Sequence, residues 1–332
     1  MKKNVYAVIL AGGSGTRFWP KSRQKSPKQL CKIGNASKTM IEITLDRLEG
    51  LVPPERRIIV THVDQLESTR AIVGNSCARL IAEPEARNTA NALAVAALEV
   101  EHIHKKSGNS EPAVILSVHA DHVIKDVNAM KASFVTAIKA AEQGTLALIG
   151  IVPEYAETGY GYIERGSEIG EIPGAFKVAS FREKPNLDVA KSFVDSKKFL
   201  WNAGLFVFPV DLLLKELSEK LPNTVSNLRT LLSKSKDISF STIDLKLFAE
   251  VYGGLPKISI DHAVLEVSKH VSVVQADMGW KDVGSWEALG QCFSVDSEGN
   301  YKDGPVLAID TTNCTIESDG PLIATLGLSD MV

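Results

Sequence analysis

The sequence predicts an α/β fold, a doubly wound sheet that is mixed but mostly parallel, followed by a small C-terminal β appendage. Three observations in the 332-residue chain predict it. Short apolar runs alternate with amphipathic helical stretches as far as Ile151. The first run breaks into a glycine-rich loop, as a first parallel strand does where it opens over a ligand. Past Asn300 the texture changes to short apolar segments set between Asp, Asn, Gly and Pro turns. Residues 1–290 are therefore expected to form one catalytic-sized unit, and 300–332 the start of a β-rich appendage. The appendage reads as β-helical or as a small sandwich, and, because the chain stops at Val332 inside what reads as a strand, as truncated, either a fragment or a shortened appendage.

Taken in order, Val5 to Leu10 is the first buried strand, and Gly12, Gly13 and Gly15 form the loop after it. Glycine lets a main chain approach a ligand closely enough for its N–H groups to reach phosphate oxygens. A P-loop and a dinucleotide fingerprint both fail on spacing, the latter because Phe18 stands where a small residue is needed. Five positive charges between Arg17 and Lys28 follow without helical or strand period, which predicts a loop that carries cations toward a polyanionic ligand. A helix from Thr39 to Leu51 and a strand from Arg57 to Thr61 come next. Strand and helix then alternate through Leu80–Ala82, Asn88–Lys105, Ala113–Val118, Val127–Glu142 and Leu146–Ile151. Helical pattern from Leu212 to Leu232 breaks at Pro222, and Val271 to Ala276 is a further strand.

Composition narrows the function. A net charge of -3 argues against a nucleic-acid or anionic-membrane partner, so the basic loop is a local site. Four cysteines lie far apart without a Cys-x-x-Cys pair, which predicts reduced thiols and a cytoplasmic protein. The apolar segment after Met1 is too short for a signal peptide or a membrane span.

Several positions carry two readings. Asn88-Thr89 can simply cap a helix, and Glu83 ends a strand beside it. Asp121, in His119-Ala120-Asp121-His122 after a strand, is a metal-ligand candidate, because Mg²⁺ prefers carboxylate oxygen together with phosphate and water. His119 and His122 read as structural, no third His or Cys lying at zinc spacing. The Thr158–Ile163 segment is a hairpin or a close-approach strand. Taken by themselves, Glu183 and Lys184 read as a surface ion pair, Asp261 as a helix cap, and Asp282 as a second isolated acid in a glycine- and tryptophan-rich turn.

LAGGSGTRFWPKSRQKSPKQL, from Leu10 to Leu30, resembles the signature of the sugar-nucleotide pyrophosphorylases, or sugar nucleotidyltransferases. Its Phe-Trp-Pro and Ser-Pro-Lys-Gln details resemble the mannose-1-phosphate guanylyltransferases among them, and further motifs extend the likeness to about Gly290. The resemblance implies a Rossmann-like nucleotide-diphospho-sugar transferase fold, GTP and mannose 1-phosphate as substrates, pyrophosphate release, and Mg²⁺ as cofactor; a homodimer stays open. It implies nucleotide contacts from Leu10, Ala11, Gly12, Gly13, Gly15 and Thr16, with Arg17 and Lys28 as catalytic cations. Glu83, Asn88, Thr89 and Ala90 fall in the segment that meets guanine, although Asn91 stands where the family usually has proline. Gly161, Glu183, Asn202 and Asp261 fall to the sugar, Lys184 to its phosphate, and Asp121 with Asp282 to the metal. His119 likewise replaces a family proline. Another sugar or base, or a non-catalytic nucleotide-sugar sensor, would be the alternatives. The sensor is disfavoured because both acids and the cations are intact.

Overall fold

The structure is a computed structural model, described here for residues 3–13, 18–34, 36–170, 172–235 and 238–332. Gly15, Thr16 and Arg17, three of the expected site residues, lie outside the described residues. The elements are β1 (Val5–Ala11), α1 (Met40–Arg47), β2 (Arg57–His62), α2 (Leu66–Val73), β3 (Arg79–Glu83), α3 (Thr89–Ser107), β4 (Val114–His119), β5 (His122–Ile124), α4 (Val127–Glu142) and β6 (Leu146–Ile151). They continue with β7 (Tyr162–Glu168), β8 (Ala175–Arg182), α5 (Leu187–Ser196), β9 (Phe199–Pro209), α6 (Val210–Lys220), α7 (Pro222–Ser233), α8 (Leu245–Tyr252), β10 (Val271–Ala276), β11 (Trp280–Asp282) and α9 (Glu287–Cys292). The last strands are β12 (Tyr301–Asp303), β13 (Val306–Ile309), β14 (Thr315–Glu317) and β15 (Ile323–Leu326).

β1 explains why its run is apolar throughout. Its odd residues, Val5, Ala7, Ile9 and Ala11, enter one core, and Tyr6, Val8 and Leu10 enter the other. A strand covered on both faces cannot alternate with polar residues. α1 and α4 cover the odd-residue face through Ile41, Leu45 and Phe134. α3, α6, α7 and α8 cover the other, with Leu93, Leu213, Leu228 and Phe248 buried there. The helix that starts at Met40 is shorter than its apolar spacing predicts: Thr39 and Glu42 close a capping box at one end, and Leu48 caps the other. Pro222 does break the next helical run, standing in the first turn of α7 where its missing N–H costs nothing.

The sheet has nine strands in the order β3-β2-β1-β4-β9-β6-β10-β8-β7. Seven strands share one direction, but β8 and β9 run against it, so five of the nine strand pairings are antiparallel. The expectation of a mostly parallel sheet thus holds for strand direction and needs correcting for the ladders. β9 makes three of the antiparallel pairings by inserting between β4 and β6, two strands that a simple alternation would make neighbours, and by pairing with β7; β8 makes the other two with β10 and β7. After the sheet, β12 pairs with β14 and β13 with β15, both in parallel. Among the described residues no helix is long and apolar enough to cross a membrane.

Candidate active site

β1 to β4 are mutually parallel, so their carboxyl ends open on one edge of the sheet. The chain order reverses beside β1, with β2 on one flank and β4 on the other, which is where an open α/β sheet leaves a crevice. A cavity of about 490 Å³ occupies that edge. Leu10, Ala11, Gly12 and Gly13 line it, together with Glu83, Asn88 and Thr89 from the end of β3 and the start of α3, and Asp121 after β4. Ala90 does not: it is fully buried behind the wall, where its N–H donates to the Ile258 carbonyl.

The bland and functional readings of Asn88 are both met. Its side chain accepts from the Thr89 N–H as a helix cap while facing the cavity. Thr89 Oγ1 accepts from the Ile260 N–H. Asn91 is completely buried and donates from Nδ2 to the carbonyls of Arg87 and Pro256, a pair of bonds no proline could make. The glycine loop has a brace that motif spacing did not single out. Gln29 Nε2 donates to the carbonyls of Ala11 and Gly13 and to Gln65 Oε1, at 2.7, 2.9 and 3.1 Å. Gln29 was visible only as a letter of the Ser-Pro-Lys-Gln motif, and Gln65 and Lys257, also at the cavity, carried no signal.

Lys28 is 3 % exposed and joins the two acids that sequence placed far apart. Its Nζ stands 3.2 Å from Asp121 Oδ2 and 3.8 Å from Asp282 Oδ1. β5 and β11 make this possible, pairing antiparallel so that Asp282 lies opposite His122. Burial alone would raise the Asp121 pKa, but Lys28, followed by His122 and His119, outweighs it and holds the carboxyl at about 2. The basic loop as a whole does not converge on this point. Lys21 pairs with Glu317 on β14, and Arg23 Nε donates to the Pro20 carbonyl.

His119, Asp121 and His122 bring three ligand-type atoms within 4.8 Å of one another. Trp280 Nε1, which can only donate, bonds His122 Nδ1 at 3.1 Å. Burial, then His119, pushes His122 down to about 3, so the ring is neutral with its proton on Nε2. That fits its reading as a structural histidine.

The expected sugar residues come together as a second cluster on β7, β8 and β9. The Asn202 N–H donates to the Gly161 carbonyl, and Asn202 Nδ2 to Asp261 Oδ1 at 2.7 Å. Gly161 leaves room for Glu183: a Cβ there would lie 2.4 Å from Glu183 Oε2 and push the carboxylate aside. Gly204, at φ +65°, is also constrained, since a Cβ would press on the His119 ring at 3.1 Å. His119 thus lies between this cluster and the cavity it also lines. Lys184 Nζ bonds Glu183 Oε1 at 2.7 Å and stays 61 % exposed. Glu183 Oε2 is buried without a hydrogen-bond partner among the described residues. Asp261 opens a π-helical turn, and burial followed by the Glu183 charge raises its pKa.

A glycine-floored cleft at the carboxyl ends of parallel strands, with Asp121 at its edge, fits a transferase that handles nucleotides, and the chain belongs to the nucleotidyl transferase family, whose model matches residues 6–298. Its relatives identify the branch as that of the mannose-1-phosphate guanylyltransferases. A putative mannose-1-phosphate guanylyltransferase of Vibrio cholerae is 38% identical over 98% of this chain and 68% of its own length. The mannose-1-phosphate guanylyltransferase of Escherichia coli K12 is 38% identical over 100% of this chain and 68% of its own. A crystal structure from Thermus thermophilus, described as a mannose-1-phosphate geranyltransferase, superposes with a TM-score of 0.85 at 35% identity, covering 98% of this chain and 90% of that one.

Proposed function

We propose that this enzyme transfers GMP from GTP to α-D-mannose 1-phosphate, giving GDP-mannose and pyrophosphate, by direct in-line attack. The observation that carries the reading is the convergence of Asp121 and Asp282 on one buried ammonium, with Asp121 also lining the glycine-floored cavity. Two carboxylates gathered around a cation offer the oxygen donors that Mg²⁺ takes, so Asp121 and Asp282 would hold it. The metal would supply charge neutralisation at the attacked α-phosphate.

The second pKa of a phosphate monoester is near 6, so mannose 1-phosphate arrives mostly as the dianion and needs no general base. The residues therefore orient and neutralise. Gly12 and Gly13 offer backbone to the triphosphate, with Arg17 and Lys28 as its cations. Glu83 accepts from the N1–H and 2-amino groups of guanine, a pair adenine lacks, and Asn88 and Thr89 flank it in the wall. In the sugar half, Lys184 faces the sugar phosphate. The unpartnered Glu183 Oε2 suits a donor such as a sugar hydroxyl, and Asn202 and Asp261 complete the cradle.

Residues 1–290 would form the catalytic domain. The two parallel pairs of β12 with β14 and β13 with β15 support reading residues 300–332 as β-helical. The four free cysteines fit a cytoplasmic setting.

Pyrophosphate release from mannose 1-phosphate with GTP, ATP, UTP and dTTP, each with and without Mg²⁺, tests the proposal. Metal-dependent release confined to GTP is expected. Release with another nucleotide would discard the base assignment, and none with any would overturn the reaction.

A further inference from the structure

Resting on that reading of Glu83, we propose that Tyr252 is the positioning residue of base recognition: its phenolic O–H, donated to Glu83 Oε1, fixes the carboxylate that reads guanine and so sets the preference for GTP over a nucleotide without the 2-amino group.

Tyr252 lies 169 positions along the chain from Glu83, at the end of α8, yet it is 0 % exposed and its hydroxyl bonds that carboxylate. Phe248 holds the ring edge-on, with centroids 5.1 Å apart and planes at 72°. The chain beyond Tyr252 is latched to the rest of the base wall. Arg87 Nη1 donates to the Leu255 carbonyl and Nη2 to that of Gly253. Asn91 reaches Pro256, and Thr89 accepts from Ile260. Tyr252 therefore cannot move independently of the residues that line the cavity.

The two carboxylate oxygens have different neighbours. Oε1 has Tyr252, while Oε2 lies 2.9 Å from where a Cβ on Gly12 would stand, against the phosphate loop. Each carboxylate oxygen offers two acceptor directions. A phenol on one of the four leaves room for the paired N1–H and 2-amino donors of guanine, and removes the freedom of the carboxyl to rotate away from them. The charges around Glu83 are those of Arg87, Lys257 and Glu85, with Asp64 and Asp121 lining the same cavity and His62 opposite it on β2. Burial pushes Glu83 up to about 7, and the Tyr252 hydrogen bond works against that rise. Without the phenol the carboxyl would be protonated to higher pH, and a protonated carboxyl meets the guanine N1–H with a donor of its own.

A tyrosine that merely fills the core would make none of these differences. The test uses the full chain, with GTP and inosine triphosphate as alternative nucleotides and mannose 1-phosphate saturating, and follows kcat/KM across about pH 6 to 9. Tyr252→Phe is expected to lower kcat/KM for GTP about tenfold, mainly through KM, and to contract the GTP-to-ITP ratio by a similar factor. The pH midpoint for GTP should move up, and the KM for mannose 1-phosphate should not change. Fluorotyrosine at position 252, a stronger donor of nearly the same shape, should move the midpoint down and decides the matter if the Phe variant folds poorly. Glu83→Gln should abolish both the ratio and the pH step. A wild type that shows the preference, beside a Tyr252→Phe enzyme with unchanged ratio and midpoint or equal losses for both nucleotides, overturns the inference alone. A wild type that uses both nucleotides equally well overturns the base reading of Glu83, and the inference with it.

Discussion

The two halves of the proposed site, one assigned to the nucleotide and the other to the sugar phosphate, are built by different rules. The nucleotide half draws its floor from β1 and its walls from the ends of β2, β3 and β4, four neighbouring parallel strands. Its ligand-facing groups are held by protein partners, Gln29 on the glycine loop, Asn88 on Thr89 and Tyr252 on Glu83, although Arg87 Nε and Asn91 Oδ1 deeper in the wall are buried without a hydrogen-bond partner among the described residues. The sugar half hangs on β7, β8 and β9, where the pairing is antiparallel and the registers shift. Glu183 Oε2 is there left without a partner among the described residues, and Asp261 is crowded by the Glu183 charge. A frame that satisfies its own polar groups is preorganised. One that leaves a buried acceptor open relies on its ligand to satisfy it.

Asp282 shares the Lys28 ammonium with Asp121 and is proposed to hold the metal with it, so its loss should have the largest effect. Asp282→Asn is expected to lower turnover about 10²-fold or more, as when one preorganised electrostatic partner is removed. Steady-state pyrophosphate release at saturating Mg²⁺ measures it, and near-normal turnover would take Asp282 out of the metal site.

The next prediction belongs to the nucleotide half alone. In the proposed role Glu83, its pKa raised to about 7 chiefly by burial, must be ionised to accept from guanine. The kcat/KM for GTP, with sugar phosphate saturating, should fall as pH drops through about 7, approaching tenfold per unit below it. A profile flat from about pH 6 to 8 would break the assignment.

Gly161→Ala probes the sugar half. The new methyl would displace the Glu183 carboxylate, so the KM for mannose 1-phosphate should rise about tenfold while that for GTP stays put. Equal effects on both substrates would show that the halves are not separable in this way.

The smallest effect is expected outside both. Arg229 bonds both carboxylate oxygens of Glu101, at 2.7 and 3.1 Å, and remains 47 % exposed. Arg229→Ala should cost about 0.5 kcal/mol in denaturant unfolding and leave both KM values unchanged.

The nucleotide half was more legible in advance because its information is local. Six consecutive apolar residues followed by glycines mark a strand and its turn, and Asn88-Thr89 after Glu83-Pro84 marks a helix start, whatever the rest of the chain does. Lys28 and Asp121 could be nominated, but not the ammonium that joins Asp121 to Asp282, since that needs β5 to meet β11. Lys21 could be nominated as well, and it went to Glu317 instead.

From sequence alone follow the alternation of strands and helices, the burial of β1 on both faces, the glycine loop and the residue types at each motif. These depend on periodicity and backbone preference within a few residues. The place of β9 between β4 and β6, the union of two acids 161 positions apart, the Gln29 brace and the Tyr252–Glu83 bond were decided by tertiary structure. Such contacts form only once the core has brought distant segments together. Nothing in Tyr252 or its neighbours along the chain distinguishes a core tyrosine from one that holds a carboxylate in place.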